Sequence, residues 1–235
     1  MSDTALNPLS VAFLLYPEVT QLDLTGPAQF LSRLGNSTLH YVAKSAEPVP
    51  TDAGFSIVPT ATFAEVTSAD ILCVPGGISC VDVIEDDETL AWVRRVAGSA
   101  RWVTSVCTGS LILGAAGLLR GYRAGCHWAW REHLPLFGAE PVAERVVFDR
   151  NRVTGGGVTA GIDFALALIA AVRGEAHARI VQLALEYDPS PPFDSGSPER
   201  AGPELLAAYR GRMETLAPGR AERVRAAAER LDLAA

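Results

Sequence analysis

The densest run of potential chemistry in the chain is WVTSVCTGSLILGAAGLL, where a β-branched stretch ends at Cys107 and an apolar helical pattern begins at once. A strand that turns directly into a helix projects the turn residue from the carboxyl end of the sheet, toward the unpaired N–H groups of the helix's first turn. Those donors and the helix dipole favour thiolate over thiol, which predicts a lowered pKa and a sulfur nucleophilic at neutral pH. A cysteine in an apolar run is as often simply a small buried hydrophobe. That plainer reading is the one for Cys73, Cys80 and Cys126, which lack the turn context.

Sulfur chemistry on an unsaturated carbon needs a proton donor and acceptor beside the thiol, and Glu18 and Asp23 follow the first predicted strand. Asp23 lies between Leu22 and Leu24 just before a helix start, a partly buried setting that can couple a carboxyl to a thiol; the same position also suits a helix cap. Glu18, after Pro17 in a turn, reads as a solvated charge. Gly76 and Gly77 in VPGG end another predicted strand, where glycine lets backbone approach a ligand closely, so the N–H groups of Gly77 and Thr108 are the predicted oxyanion and substrate donors; an ordinary tight turn is the alternative.

His127 suits the base of a Cys–His pair or, beside Trp128, a structural or pocket-wall residue. His40, His133 and His177 have no constellation around them. Gly155, Gly157 and Ala160 formally satisfy G-x-G-x-x-A, yet no strand ending in an acid follows as a dinucleotide site requires. The four cysteines form no CxxC pair and no zinc spacing, so neither metal nor organic cofactor is expected.

The elements that must position these residues follow from hydropathy. Short apolar runs alternate with helical spacing, the pattern of a mainly parallel sheet covered by helices on both faces. The predicted strands are Val11 to Tyr16, Leu39 to Ala43, Ile71 to Pro75, Trp102 to Val106, Arg145 to Asp149 and Arg152 to Thr154. Helices are predicted to begin near Pro27, Glu88, Thr108, Ala129, Thr159 and Glu175, Pro27 because proline is favoured at the first helical position. After Tyr187 the segment DPSPPFDSGSP breaks any regular element, and residues 203–235 read as two helices too short for a domain of their own. The organisation expected is one α/β domain over residues 1–190, with residues 191–235 packed on it as a proline-rich loop and helices.

Of 235 residues, 49% are hydrophobic and 20% charged, which predicts a packed core. Twenty Lys and Arg against 27 Asp and Glu give a net charge of -7, a surface that repels nucleic acid and acidic membranes. The first residues lack the basic, long apolar pattern of a signal peptide, so a cytoplasmic protein with reduced thiols is expected.

PEVTQLDLTGP, ILCVPGG, SVCTGSLILGAAGLL, HW at 127 and 128 and TGGGVTAGID, in this order and spacing, resemble the ThiJ/PfpI superfamily over roughly residues 10 to 190. That resemblance implies a flavodoxin-like sandwich, a homodimer, and a nucleophilic cysteine at Cys107 assisted by a nearby carboxylate. Within the superfamily, LDLTGP, SVCTGSL, HW, GGG-TAGIDF and the LEY-PPF-GSP segment most resemble the isocyanide hydratases, which carry an aspartate at the place of Asp23. At position 126 this sequence has Cys where that pattern has Thr. The resemblance implies an enzyme that adds water to an isocyanide through a Cys107 thioimidate. Rival readings are a glyoxalase or deglycase acting on α-oxoaldehydes, a regulator of the AraC type without its DNA-binding region, and a redox sensor. The protease-like members place His directly after the cysteine, where this chain has Thr108.

Overall fold

In the computed structural model, which describes residues 6–233, strands and helices alternate along the chain. The strands are β1 (Leu9–Leu14), β2 (Ser37–Ala43), β3 (Val49–Pro50), β4 (Ser56–Ile57), β5 (Ala61–Thr62), β6 (Ile71–Val74), β7 (Trp102–Ser105), β8 (Arg123–Ala124), β9 (Glu140–Pro141), β10 (Val146–Asp149) and β11 (Arg152–Gly155). The helices are α1 (Gln21–Leu31), α2 (Cys80–Val83), α3 (Asp87–Ser99), α4 (Gly109–Ala115), α5 (Ala160–Arg173), α6 (Glu175–Ala184), α7 (Pro198–Ala201), α8 (Pro203–Leu216) and α9 (Arg220–Leu233), with a 3-10 helix at Arg131–Phe137.

Seven strands form one sheet in the order β10-β11-β7-β6-β1-β2-β5, parallel throughout except for the β10–β11 hairpin. Helices α1, α5 and α6 pack together on one face; α2, α3, α4, the 3-10 helix and α9 pack on the other. This is the flavodoxin-like sandwich expected. Because the sheet is covered on both faces, its central strands are buried along their length: every residue of β6 is buried, and Val11, Phe13 and Leu14 of β1 are wholly inaccessible. The chain winds outward from β1 to β2 and β5, then returns to β6 on the other side of β1, so a switch point opens between β1 and β6. Asp23 follows β1, Gly76 and Gly77 follow β6, and Cys107 follows β7. All three strands deliver their loops to the carboxyl edge around that crevice, where open α/β sheets place ligands.

Every strand read from the hydropathy is present, with ends shifted by no more than two residues. β5 carries no periodicity in two residues and was invisible to that reading. Two helix expectations are corrected. α1 begins at Gln21, not Pro27, because the carboxylate of Asp52 from a distant loop accepts the Gln21 N–H at 3.0 Å. Pro27 lies inside the helix, its ring close-packed on Gly161 of α5, where a Cβ would meet Pro27 Cγ at 3.0 Å. The segment expected as a helix from Ala129 winds instead as a 3-10 helix from Arg131, with Pro135 inside it removing a donor and Gly138 closing it at φ 73°.

The two helices expected in residues 203–235 are α8 and α9, separated at Pro218 and Gly219; residues 234 and 235 lie outside the described residues. α9 is packed on the body through buried Val224, Ala227 and Ala228, and its Arg223 reaches Asp82 at 2.8 Å and Glu85 at 2.5 Å. Among the described residues no helix is long and apolar enough to cross a membrane.

The tightest junction in the fold is where α4 starts beneath β6. A Cβ on Gly109 would stand 2.1 Å from the Val74 carbonyl oxygen, which is backbone on both sides and cannot swing away. Gly109→Ala is therefore expected to destabilise the fold by about 1–3 kcal/mol, the usual cost of overpacking, read as a lowered urea midpoint with unchanged slope. A variant as stable as the parent would show that α4 can move off the sheet.

Candidate active site

Cys107 is buried at the turn between β7 and α4, with φ 59°. The left-handed region costs a residue with a Cβ roughly 1–2 kcal/mol, so the surroundings must impose it. They do so with backbone hydrogen bonds: the Cys107 N–H donates to the Gly156 carbonyl at 2.8 Å, and the Val106 N–H to the Val74 carbonyl at 3.1 Å. Under the turn, Ser110 Oγ donates to the Gly125 carbonyl at 2.6 Å and lies 2.8 Å from Ser105 Oγ, while the Gly125 N–H donates to Thr154 Oγ1 at 2.7 Å. This buried chain ties β7, α4 and β11 together, and it leaves the sulfur facing the N–H groups of Thr108 and Val158, which both donate to it.

Asp23 lies within α1, its carboxyl almost wholly buried. Oδ2 accepts the Gly76 N–H at 3.0 Å, Oδ1 has no hydrogen-bond partner, and the Cys107 thiol lies close enough to the carboxyl to oppose the rise in its pKa. Glycine at 76 is a steric requirement, since a Cβ there would stand 2.5 Å from the Thr108 nitrogen and 2.8 Å from Asp23 Oδ2. Burial lifts the Asp23 pKa from 3.8 to about 7, against the opposing hydrogen bonds from Cys107 and Gly76.

The expectation of a depressed thiol pKa is corrected. Burial pushes the Cys107 thiol well above its ordinary value, the Asp23 charge raises it further, and the N–H groups of Thr108 and Val158 oppose the rise without reversing it. At neutral pH the thiol keeps its proton, beside a carboxyl poised to take or give one. A thiol and a carboxyl, each able to exchange a proton, are thereby gathered in one water-poor spot.

The remaining expected residues divide. The Thr108 N–H is in the site, but it faces the sulfur. The expected Gly77 donor is already engaged: Thr108 Oγ1 accepts the Gly77 N–H at 2.8 Å and donates to the Gly77 carbonyl at 2.8 Å, locking the two turns together. Glu18 is exposed, with φ 58°, and only its backbone takes part in packing the Gly77 turn. His127 stacks on Trp128 and on Tyr209 of α8, with centroids 5.7 and 6.2 Å apart, and its Nδ1 accepts the Ala129 N–H at 3.2 Å. Burial, helped by Arg131, lowers its pKa to about 4, so the ring is neutral and forms a wall.

Cys73 and Cys80 are buried thiols pushed up to about 12 by burial. Cys126 is also raised by burial and stands near enough to raise Cys107 in turn. No cluster of three or more His, Cys, Asp or Glu side chains suited to a metal occurs among the described residues.

Three neighbours escaped the sequence reading. The Val158 N–H comes from the β11–α5 turn, a second strand-to-helix turn adjacent to that of Cys107, and this repetition was the available signal. Tyr16 is buried with its hydroxyl donating to the Pro75 carbonyl at 3.1 Å, and Tyr209 feels the charge at Cys107 from the carboxy-terminal segment; nothing local marks either.

The chain is 49% identical to an isonitrile hydratase of Pseudomonas putida over 225 residues, covering 96% of this chain and 99% of that protein. A crystal structure of a ThiJ/PfpI family protein from Pseudomonas syringae superposes with a TM-score of 0.87 at 44% identity, over 95% of this chain and 91% of that one. A helix-turn-helix transcriptional regulator of Pseudomonas aeruginosa is 30% identical over 189 residues, covering 76% of this chain but 50% of the regulator. The model of the DJ-1/PfpI family matches residues 9–171, and with these full-length similarities the chain belongs to that family.

Proposed function

We propose that this chain hydrates isocyanides, R–N≡C, to N-substituted formamides, with Cys107 as nucleophile and Asp23 as proton carrier. The observation that carries the reading is the buried Asp23–Cys107 pair, and the similarity to the Pseudomonas putida isonitrile hydratase over almost its whole length supports it. The terminal carbon of an isocyanide holds a lone pair and accepts a nucleophile only as that lone pair is protonated. One carbon must therefore receive both a proton and a sulfur. A thiol hydrogen-bonded to a carboxylate offers both from one side.

In the first step Asp23 takes the thiol proton and passes it to the isocyanide carbon as the sulfur lone pair forms the S–C bond. The product is the thioimidate R–N=CH–S–Cys107, with Asp23 ionised again. Asp23 next removes a proton from water while the oxygen adds to the carbon and the nitrogen takes up that proton, giving R–NH–CH(OH)–S–Cys107. Transfer of the hydroxyl proton through Asp23 to the sulfur then breaks the C–S bond and forms the carbonyl. The formamide leaves and the pair returns to its starting state. Because the Thr108 and Val158 N–H groups face the sulfur, they stabilise its negative charge as it attacks and as it departs, which is where charge develops in both half-reactions.

Cys107→Ser is expected to fold and to lose isocyanide turnover, because a hydroxyl is a far poorer nucleophile at this pH; near-parental activity in the folded variant would contradict the covalent route. Asp23→Asn can still accept the Gly76 N–H but cannot exchange a proton, and turnover should fall by roughly two to four orders of magnitude. Formamide release followed by chromatography reads both.

The pair needs one labile proton, not two. Below the Asp23 pKa it carries two, so kcat/KM should rise with a midpoint near pH 7 and stay flat to beyond pH 9, where the thiol is still protonated. A profile that falls through pH 7 would reverse the proton assignment.

The same shift has a consequence for stability. With Asp23 at about 7 when folded and 3.8 as its ordinary value, the folded state binds the proton more tightly, so stability is lost as pH rises between those values and stays low above them. The loss is on the order of 4 kcal/mol. Asp23→Asn should therefore unfold at higher urea than the parent at pH 8, with the advantage vanishing near pH 4.

A further inference from the structure

The first turn of α5 touches the supports of both Asp23 and Cys107. A Cβ on Gly161 would stand 3.0 Å from Pro27 Cγ of α1, the helix that carries Asp23, and 3.4 Å from Cγ1 of Val106, the residue before Cys107. The turn leading into α5 reaches the nucleophile directly, because the Gly156 carbonyl accepts the Cys107 N–H at 2.8 Å.

Arg145 grips this turn from both ends. Its carbonyl accepts the Gly156 N–H at 2.9 Å, and its guanidinium donates through Nη2 to Thr159 Oγ1 at 3.1 Å and through Nε to Asp163 Oδ2. Asp163 lies in the first turn of α5, and its Oδ1 accepts the Tyr187 hydroxyl at 3.0 Å. The Tyr187 ring meets Phe30 of α1 edge-on, with centroids 5.7 Å apart. Asp163 is thus held on one side by Arg145 and on the other by an aromatic seated on α1. The side chains of Arg145 and Asp163 are 53% and 32% exposed, and an ion pair in that setting adds little stability. What the guanidinium adds is geometry: two N–H groups on one planar edge fix two points of the helix start at once, which a single point charge does not.

We propose that Arg145 is a positioning residue for the active site: with Asp163 it holds the first turn of α5 against α1 and the Cys107 turn, and so keeps thiol and carboxyl in register. Cys107 stays at φ 59° through Gly156, and Gly156 is fixed at its own N–H by Arg145. The Val158 N–H faces the sulfur from the same turn. Slack in the turn withdraws that donor from the thiolate while the core stays closed. The effect on thiol reactivity is independent of substrate; the effect on turnover rests on the hydratase reading.

The test uses the full chain with Arg145→Met, which keeps the stem and the backbone carbonyl but removes the fork. Beside it stand Thr159→Val, isosteric but without the hydroxyl, and Thr159→Ser, which retains it and carries the comparison should Arg145→Met fail to fold. Alkylation of Cys107 by iodoacetamide at about pH 8.5, followed by peptide mass, is expected to slow roughly tenfold in Arg145→Met and Thr159→Val, because less of the thiol is ionised. Thr159→Ser should match the parent. An Arg145 that only braces the fold predicts the opposite, a looser chain in which the buried thiol is reached sooner. Alkylation at or above the parental rate in either variant, folded by its melting temperature, would overturn the proposal. Isocyanide turnover is expected to fall roughly ten- to hundredfold in kcat with KM within about twofold, and a parental kcat in a folded variant would overturn the proposal as well. A parent that hydrates no isocyanide would remove the hydratase reading, while the alkylation rates still decide the role of Arg145.

Discussion

Everything at this site depends on a carboxyl group held out of water beside a thiol. Separately each group would keep its proton state at neutral pH: the acid ionised, the thiol neutral. Together in a buried pocket both are pushed upward, Asp23 to about 7 and Cys107 well above its ordinary value. In the proposed reaction the carboxyl is acid and base in turn, and the sulfur gives up its proton only when a substrate carbon can take it. A thiol of this kind is guarded against stray electrophiles in a way that a free thiolate is not. Holding a carboxylate here costs stability, and the fold must supply that from elsewhere.

It does so through close approach of backbones. Glycine at 76, 77, 109 and 157 lets the loops after β1, β6, β7 and β11 converge until a single methyl group at any of them would collide with a neighbour at 2.9 Å or less. The convergence brings the Gly76 N–H to Asp23 and the Thr108 and Val158 N–H groups to the sulfur, so charge at the pair meets fixed dipoles. The reciprocal Thr108–Gly77 hydrogen bonds and the Ser110–Gly125–Thr154 chain keep the turns from relaxing. Cys107 can remain at φ 59° only because its N–H is held by Gly156 across the gap.

Much of this was legible in the sequence because local pattern determined it. Strands buried on both faces read as continuous apolar runs, and a run that ends at Cys107 just before a glycine-tolerant helix marks the turn without knowledge of the fold. Asp23 was visible as a candidate but not separable from a cap, since its partner Gly76 lies 53 residues away. The direction of the thiol pKa was misread for a related reason. Helix donors are local and can be inferred from sequence, whereas burial is a property of the assembled crevice, and burial is the larger effect. Pro27 misled for the same cause, with α1 started by Asp52 from another loop. Gly77 was expected as a donor because glycine admits a ligand; here it admits the Thr108 hydroxyl. Tyr209 had no signal, because only the fold brings α8 against His127 and Trp128.

The central claim is that Asp23 titrates near neutrality while the Cys107 thiol beside it stays protonated. The direct measurement is a titration of the Asp23 carboxyl carbon by ¹³C NMR, assigned by its loss in Asp23→Asn, alongside thiolate absorbance at 240 nm corrected with Cys107→Ser. The account predicts a carboxyl midpoint near pH 7 and no thiolate signal until well above pH 9. A carboxyl that titrates near 4, or a thiolate already formed at pH 7 beside a protonated Asp23, would contradict it.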